Sequence, residues 1–214
     1  MKGFRVVIVL LFGLFILPVS VKAADFGFYL EGAGGAGHAK WDDSSGRFDV
    51  DSSNFGAGVA FETVPRTNGI FSYRLQAGFD RWDTKDDYDV TLKLKGIVAE
   101  NFFMFSPVRR PNVRWWVGPV VQIGFYSGET DETSDGTNSF KTEADMLQLA
   151  VGAATGLRFD MKQVRICPTL GFKYSAAAGN GRTTTYYSGG GSSQYKDDLT
   201  ITATSLFASV AVLF

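Results

Sequence analysis

From residue 71 to residue 82 the chain reads FSYRLQAGFDRW. Its apolar side chains fall on every second position: Phe71, Tyr73, Leu75, Ala77 and Phe79 oppose Ser72, Arg74, Gln76, Gly78 and Asp80. A period of two marks an extended strand, whose side chains alternate between two faces. The same alternation returns over 25–41, 53–63, 89–105, 114–126, 146–159, 165–175 and 199–214. In the last of these Leu206, Ala208, Val210, Val212 and Phe214 share one parity. Helical periodicity is hard to find beyond residue 23, and no segment there has 18 continuous apolar residues, so no transmembrane helix is expected. Eight strands are predicted. Pro119 and Pro168 cannot donate to a ladder, but the alternation around each keeps both segments as strands. In 89–105, Val90, Leu92, Leu94 and Val98 face away from Lys93 and Lys95, and the parity blurs at Glu100-Asn101, which predicts a bulge there.

The connections alternate in length. Short ones carry turn residues, at 64–69, 106–112 and 160–163; longer polar ones lie between them, at 42–49, 83–88, 127–144 and 177–198. Tight turns at one end and long loops at the other describe an up-and-down meander. A chain of 214 residues accommodates one such domain with a full core.

Residues 1–23 stand apart from this pattern. Lys2 and Arg5 form a positive region, 6–17 is an apolar run of 12 residues, and Pro18 precedes the small residues of Val21-Lys22-Ala23. This is the composition of a secretory signal peptide, too short for the ~20 residues of a membrane span. A cleaved 1–23 and a mature domain over 24–214 are expected, and with them export. The balance of 21 Lys+Arg against 22 Asp+Glu suggests no nucleic-acid partner. The single cysteine, Cys167, excludes an internal disulfide and a cysteine-built metal site.

Exported eight-stranded barrels exist in two senses: a soluble barrel with a greasy interior, or a membrane barrel with a greasy exterior. The less hydrophobic face distinguishes them. Here it is dominated by small residues, among them Gly56, Gly58, Ala60, Gly78, Gly118, Gly124, Ala150, Gly152, Ala154, Gly156 and Gly171. A solvated exterior would carry long Lys and Glu side chains, whereas small ones fit where opposing walls of a narrow barrel approach, so this face points inward. By parity it also carries Arg74, Lys93, Lys95, Arg158 and Lys173 with Glu31, Glu62 and Asp80. Both signs are present, and internal ion pairs are expected, since an unpaired buried charge is costly. The opposite face meets hydrocarbon, where a closed antiparallel barrel satisfies every backbone amide. Aromatic girdles are expected from Phe26, Phe102, Phe103, Phe105, Trp115 and Phe214 at the short-turn end, and from Trp41, Trp82, Tyr88 and Tyr126 at the long-loop end.

The closing strand with Phe214, the opening FGFYLEGAGG and the turn rhythm resemble the small eight-stranded outer-membrane β-barrels of the OmpA/OmpX type, over the whole of 24–214. The resemblance implies an all-β, eight-stranded antiparallel up-and-down transmembrane β-barrel in the outer membrane. It also implies that Phe214 serves as an assembly signal read by the barrel assembly machinery; unlike full-length OmpA-type proteins, the chain is expected to carry no peptidoglycan-binding domain. Outer-membrane lipid and lipopolysaccharide are the expected surroundings.

Motifs for chemistry are few. His38, the only histidine, invites comparison with barrel enzymes that modify lipid A, but the run HAKWDD supplies no serine two residues on, and His38 reads as a rim residue. The pairs Asp42-Asp43, Asp86-Asp87 and Asp197-Asp198 read as solvated loop tips rather than cation sites. GAGGAG (32–37) has neither the helix nor the Lys-Ser/Thr of a phosphate loop, and Cys167 reads as a small inward residue. No catalytic residue, cofactor or metal is assigned. The segment TTTYYSGGGSSQY (183–195) has the Tyr/Ser/Gly composition of adaptable recognition surfaces. The expected function is structural or interaction-based, with the loops presented to a host, phage or envelope partner around a closed polar lumen. A lipid A-modifying enzyme using His38, or a narrow channel or small-ligand carrier, are the alternatives.

Overall fold

The computed structural model describes residues 24–41, 47–63, 69–87, 89–134 and 136–214. The expected signal peptide, Asp42-Asp43 and Tyr88 lie outside the described residues. The elements are β1 (Ala24–Trp41), β2 (Arg47–Thr63), β3 (Phe71–Asp86), β4 (Thr91–Arg110), β5 (Val113–Thr130), the two-residue β6 (Thr133–Ser134), β7 (Asn138–Met161), β8 (Val164–Tyr187) and β9 (Ser192–Leu213). All pairings are antiparallel, in the order β5-β4-β3-β2-β1-β9-β8-β7-β6, and β5 also pairs with β7. That last pairing closes the sheet. Eight long strands form the barrel wall, while β6 is a stub against the upper end of β7.

The strands run 16 to 24 residues, well beyond the alternating segments read from sequence. Most of the expected loops 127–144 and 177–198 continue β5, β7, β8 and β9. The ladders extend into Thr-, Ser- and Tyr-rich chain, where Thr and Tyr favour strands. Beyond the membrane the outer face is wet, so the apolar/polar alternation that reveals the lower wall fades while the hydrogen bonds continue. The segment 183–195 is thus the tip of a hairpin. Tyr187 donates its N–H to Gly191 O at 3.1 Å and Gly190 to Tyr187 O at 3.0 Å, with Gly190 and Gly191 at φ +87° and +97°. Asp197-Asp198 likewise belongs to β9.

Pro119 pairs with Ala153 and Pro168 with Val210, and those ladders are unbroken; on the other flank the pairing skips each proline, between Phe102↔Val120 and Phe105↔Val117 and between Gly156↔Thr169 and Phe159↔Ile166. The register of β4 on β5 is regular through Glu100↔Gln122 and Asn101↔Val121. The bulge sits instead between Phe105 and Val108, a stretch that includes Pro107, which has no N–H to offer.

The outside of the lower wall is apolar. Phe79 is 77% exposed, Leu206 72%, Leu170 63% and Phe55 62%, with Phe26, Phe28, Leu30, Ile97, Leu149 and Phe172 in the same belt. On β3 the belt runs from Phe71 to Phe79, ~26 Å along the strand at ~3.3 Å per residue. A strand tilt of roughly 40° reduces this to a height of ~20 Å, most of the ~25 Å apolar band of membrane barrels. Phe26, Phe105, Trp115 and Phe214 face outward at the short-turn end, as a girdle requires. Phe102, Trp82 and Tyr126 do not: each is buried in the lumen. Trp41 packs toward the same interior core as Trp82.

Candidate functional site

The lumen is built in layers. Near the short turns, Glu62 on β2 and Arg74 on β3 are direct cross-strand partners. Arg74 Nε donates to Glu62 Oε2 at 2.8 Å, and its Nη2 lies 2.7 Å from the same oxygen. Arg158 of β7 reaches across to Glu62 Oε1 at 3.0 Å and donates to Asp160 at 2.8 Å. Arg165 continues the chain, 3.0 Å from Asp160 and paired with Asp25. The Arg74 guanidinium also lies 5.9 Å from the ring centre of Phe102 and 5.7 Å from that of Trp116. Alternating signs, aromatic faces and charge-assisted hydrogen bonds compensate charges that burial alone would forbid.

Above this stands a second polar centre. Lys173 of β8 donates to Glu31 at 2.5 Å, Glu100 at 3.0 Å and Gln122 at 2.8 Å, and its ammonium sits 4.4 Å from the centre of the Phe207 ring. Asp80 accepts from Tyr126 Oη at 2.6 Å and Asn54 Nδ2 at 3.0 Å. Apolar layers separate and cap these centres. Phe102, Met104, Trp116, Val120, Ala154 and Phe207 form one, and Val50, Trp82, Leu92, Leu94, Leu199 and Ile201 belong to another toward the upper end. Side chains fill the axis.

A surface of exposed Phe and Leu around a core of paired Arg, Lys and Glu is the reverse of a soluble protein. The chain is a transmembrane β-barrel.

Among solved structures it is similar to a major outer membrane protein from Thermus thermophilus, with 15% identity and a TM-score of 0.44 over 88% of this chain and 99% of that one. It is also similar to Neisserial surface protein A, with 20% identity and a TM-score of 0.38 over 90% and 100% of the two chains. The outer membrane protein OprG from Pseudomonas aeruginosa gives 16% identity and a TM-score of 0.42 over 88% and 96%. The assignment rests on the barrel's own two faces. No protein-family model and no curated protein matches the chain.

Of the charges read as luminal, Glu31, Glu62, Arg74, Asp80, Arg158 and Lys173 point inward, in the two centres described. Lys93 and Lys95 do not. They lie on the outer face of β4, while Leu92, Leu94 and Val98 point in, so the parity expected for this segment is reversed. The reason is height. Above the belt the exterior is water, and the polarity rule inverts along the same strand: apolar residues turn inward and charges outward, as in a soluble barrel. Lys93 pairs there with Asp131 at 2.5 Å.

Sequence reasoning missed Glu100, Asp25, Asp160 and Arg165. For Glu100 a signal existed: it shares the parity of Leu92, Leu94 and Val98, a face that cannot be lipid-facing if it carries a carboxylate. Cys167 is fully buried. Among the described residues no three His, Cys, Asp or Glu gather as metal ligands.

The GAGGAG run lies in β1, and its inward Gly35 approaches β9 closely; a Cβ there would meet Thr204 O at 2.0 Å. His38 faces outward on β1, Nδ1 2.5 Å from Asp49 Oδ1 of β2, a partner the sequence did not reveal; Thr202 of β9 is opposite it in register. Beyond the membrane, hydrogen bonding to Lys85 at the β3–β4 turn holds the Asp89 carboxyl below its ordinary range. A hydrogen bond to Glu129 likewise raises Lys141.

Proposed function

We propose that this protein is a closed outer-membrane barrel whose activity is recognition at its outer rim. One observation carries the reading. The pairing of β1 with β9 begins at Trp41↔Leu199, whereas β8 and β9 stay paired to Tyr186↔Ser192. The upper β8–β9 hairpin, braced by β7, therefore stands above the β1 side of the wall, with Tyr186, Tyr187 and Tyr195 exposed at 44%, 46% and 52%. Tyrosines on a hydrogen-bonded hairpin offer contact area at low entropic cost, since their backbone is already ordered. A host or envelope protein is the partner class this suits. The test replaces Tyr186, Tyr187 and Tyr195 together by Ser and measures adhesion of cells carrying the folded protein. Loss of most binding supports the reading; undiminished adhesion removes it.

In this reading the filled axis makes the barrel non-conducting, and planar-bilayer recordings should lack discrete steps. The outward row Leu206, Ala208, Val210, Val212 and Phe214 of the closing strand is the surface offered to the assembly machinery, so Phe214→Ser should lower the yield of assembled protein.

A second reading has one observation in its favour. The His38–Asp49 pair on the outer face has the geometry of an oriented general base, with Thr202 opposite, and suits a lipid A-modifying enzyme. Purified protein incubated with lipopolysaccharide would release acyl chains, and His38→Ala would abolish the release; intact lipid by mass spectrometry removes this reading.

A further inference from the structure

On the outer face of the barrel Arg81 of β3 and Lys95 of β4 are direct cross-strand partners. Two like charges at this position repel, with side chains held about 5 Å apart at their bases. Within the site Arg81 bonds Asp83 at 3.0 and 2.7 Å, and the neighbouring cations are neutralised as well: Lys93 bonds Asp131, and Lys85 lies 2.7 Å from Asp89. Among the described residues Lys95 has no acidic partner, and the one carboxylate beside Arg81 is already engaged by it. The sheet places a net positive charge at one height.

That height is the edge of the apolar belt. One step down the same face stand Phe79 and Ile97, themselves cross-strand partners, 77% and 57% exposed; Phe55 flanks Arg81 at 62%. Beside Lys95 an open groove crosses the wall from β3 to β8, with Ile97, Phe125 and Leu147 toward the membrane and Lys95, Ser127 and Asp145 at its upper rim. Register explains the groove: Ser127 lies between Lys95 and Asp145, and its short side chain leaves a notch. Asp145 is two strands from Lys95, roughly 9–10 Å between backbones at ~4.8 Å per strand.

We propose that Arg81 and Lys95 form a headgroup site for a phosphate-bearing lipid of the outer leaflet, with an acyl chain lying against Ile97, Phe125 and Leu147. The chemistry needs both halves. A free anion would leave the apolar groove unused, and an uncharged lipid would leave the one net positive charge of Lys95 and the Asp83-bound Arg81 uncompensated. The groove is continuous with the lipid-facing belt, so its occupant arrives from the bilayer rather than from solution. Charge-assisted bonds from a guanidinium and an ammonium to one phosphate relieve the repulsion built into the register. This site lies on the wall, separate from the hairpin and from His38, and does not depend on either reading above.

The experiment uses the folded, detergent-solubilised chain and native mass spectrometry with three probes: phosphatidylglycerol, a diacylglycerol of the same chains, and inorganic phosphate. One saturable phosphatidylglycerol adduct is expected, with diacylglycerol and inorganic phosphate each binding at least tenfold more weakly. Near a membrane surface each cation contributes about fivefold in affinity, so Lys95→Gln should weaken the adduct about fivefold and R81Q/K95Q about 25-fold. Lys85→Gln, higher on β3, should leave it unchanged. Each variant is first checked for heat-modifiable gel mobility, so that a misfolded barrel is not scored. Equal binding of diacylglycerol, displacement by equimolar inorganic phosphate, an unaltered Lys95→Gln adduct, or a dimer in place of the lipid adduct would overturn the proposal.

Discussion

Glu62 and Arg74 face each other across β2 and β3 with exposures of 1% and 0%, and Glu62 divides its two oxygens between Arg74 and Arg158. One carboxylate thereby compensates two guanidiniums from strands far apart in the chain. The pairing ties opposite walls together through the lumen, while the β5–β7 ladder closes the wall itself through backbone hydrogen bonds.

Removing that carboxylate leaves two buried cations with reduced compensation. Glu62→Ala should cost ~3–5 kcal/mol, as for any buried pair broken on one side. Arg74→Ala should cost a similar amount, less if water enters. Urea unfolding of the lipid-reconstituted protein measures both, and a near-zero change would mean the pairing contributes nothing.

Lys173 stands between Glu31 and Glu100, and its replacement leaves two carboxylates without their cation. Lys173→Met is expected to destabilise by a few kcal/mol, whereas the neutral triple variant K173M/E31Q/E100Q should recover most of the loss. If the triple variant unfolds no later than the single one, charge is not what organises this centre.

Leu94 and Lys93 test the inversion of faces above the membrane. Leu94 is fully buried and packs with Trp82 and Leu199, so Leu94→Ala should cost about 2–5 kcal/mol, in the range of core truncations. Lys93→Ala removes only a solvent-exposed ion pair and should stay within about 1 kcal/mol. Equilibrium unfolding of the two variants side by side reads the difference; equal costs would contradict the placement.

Leu170 lies in the belt, 63% exposed, on β8. Leu170→Arg should destabilise by about 2–4 kcal/mol in a bilayer, the range for a cation near the midplane. Comparing refolding yields in lipid vesicles with those for Lys196→Ala, on the upper hairpin, separates a lipid-facing site from a wetted one. A tolerated arginine would place Leu170 outside the hydrocarbon.

The alternation of Phe71 to Phe79 and Leu206 to Phe214 is enough to identify strands, an antiparallel meander and a greasy exterior. In those segments the outer face meets one solvent, hydrocarbon, throughout, so periodicity and polarity agree. For Leu92, Lys93, Leu94 and Lys95 the same rule gives the wrong face, because the outer solvent changes from lipid to water partway up β4 while parity continues unchanged. The hairpin arms of β8 and β9 are hard to read for a related reason: a strand wet on its outer face loses the contrast that marks it.

The linear chain by itself determined which residues can be strands and that the small, charged face of the lower wall turns inward, because both follow from period two and the cost of unpaired charge in lipid. Tertiary structure alone decided the partners. Glu62 meets Arg158 and Lys173 meets Glu31 across separations of 96 and 142 residues, set by strand register and barrel closure, which no local pattern encodes.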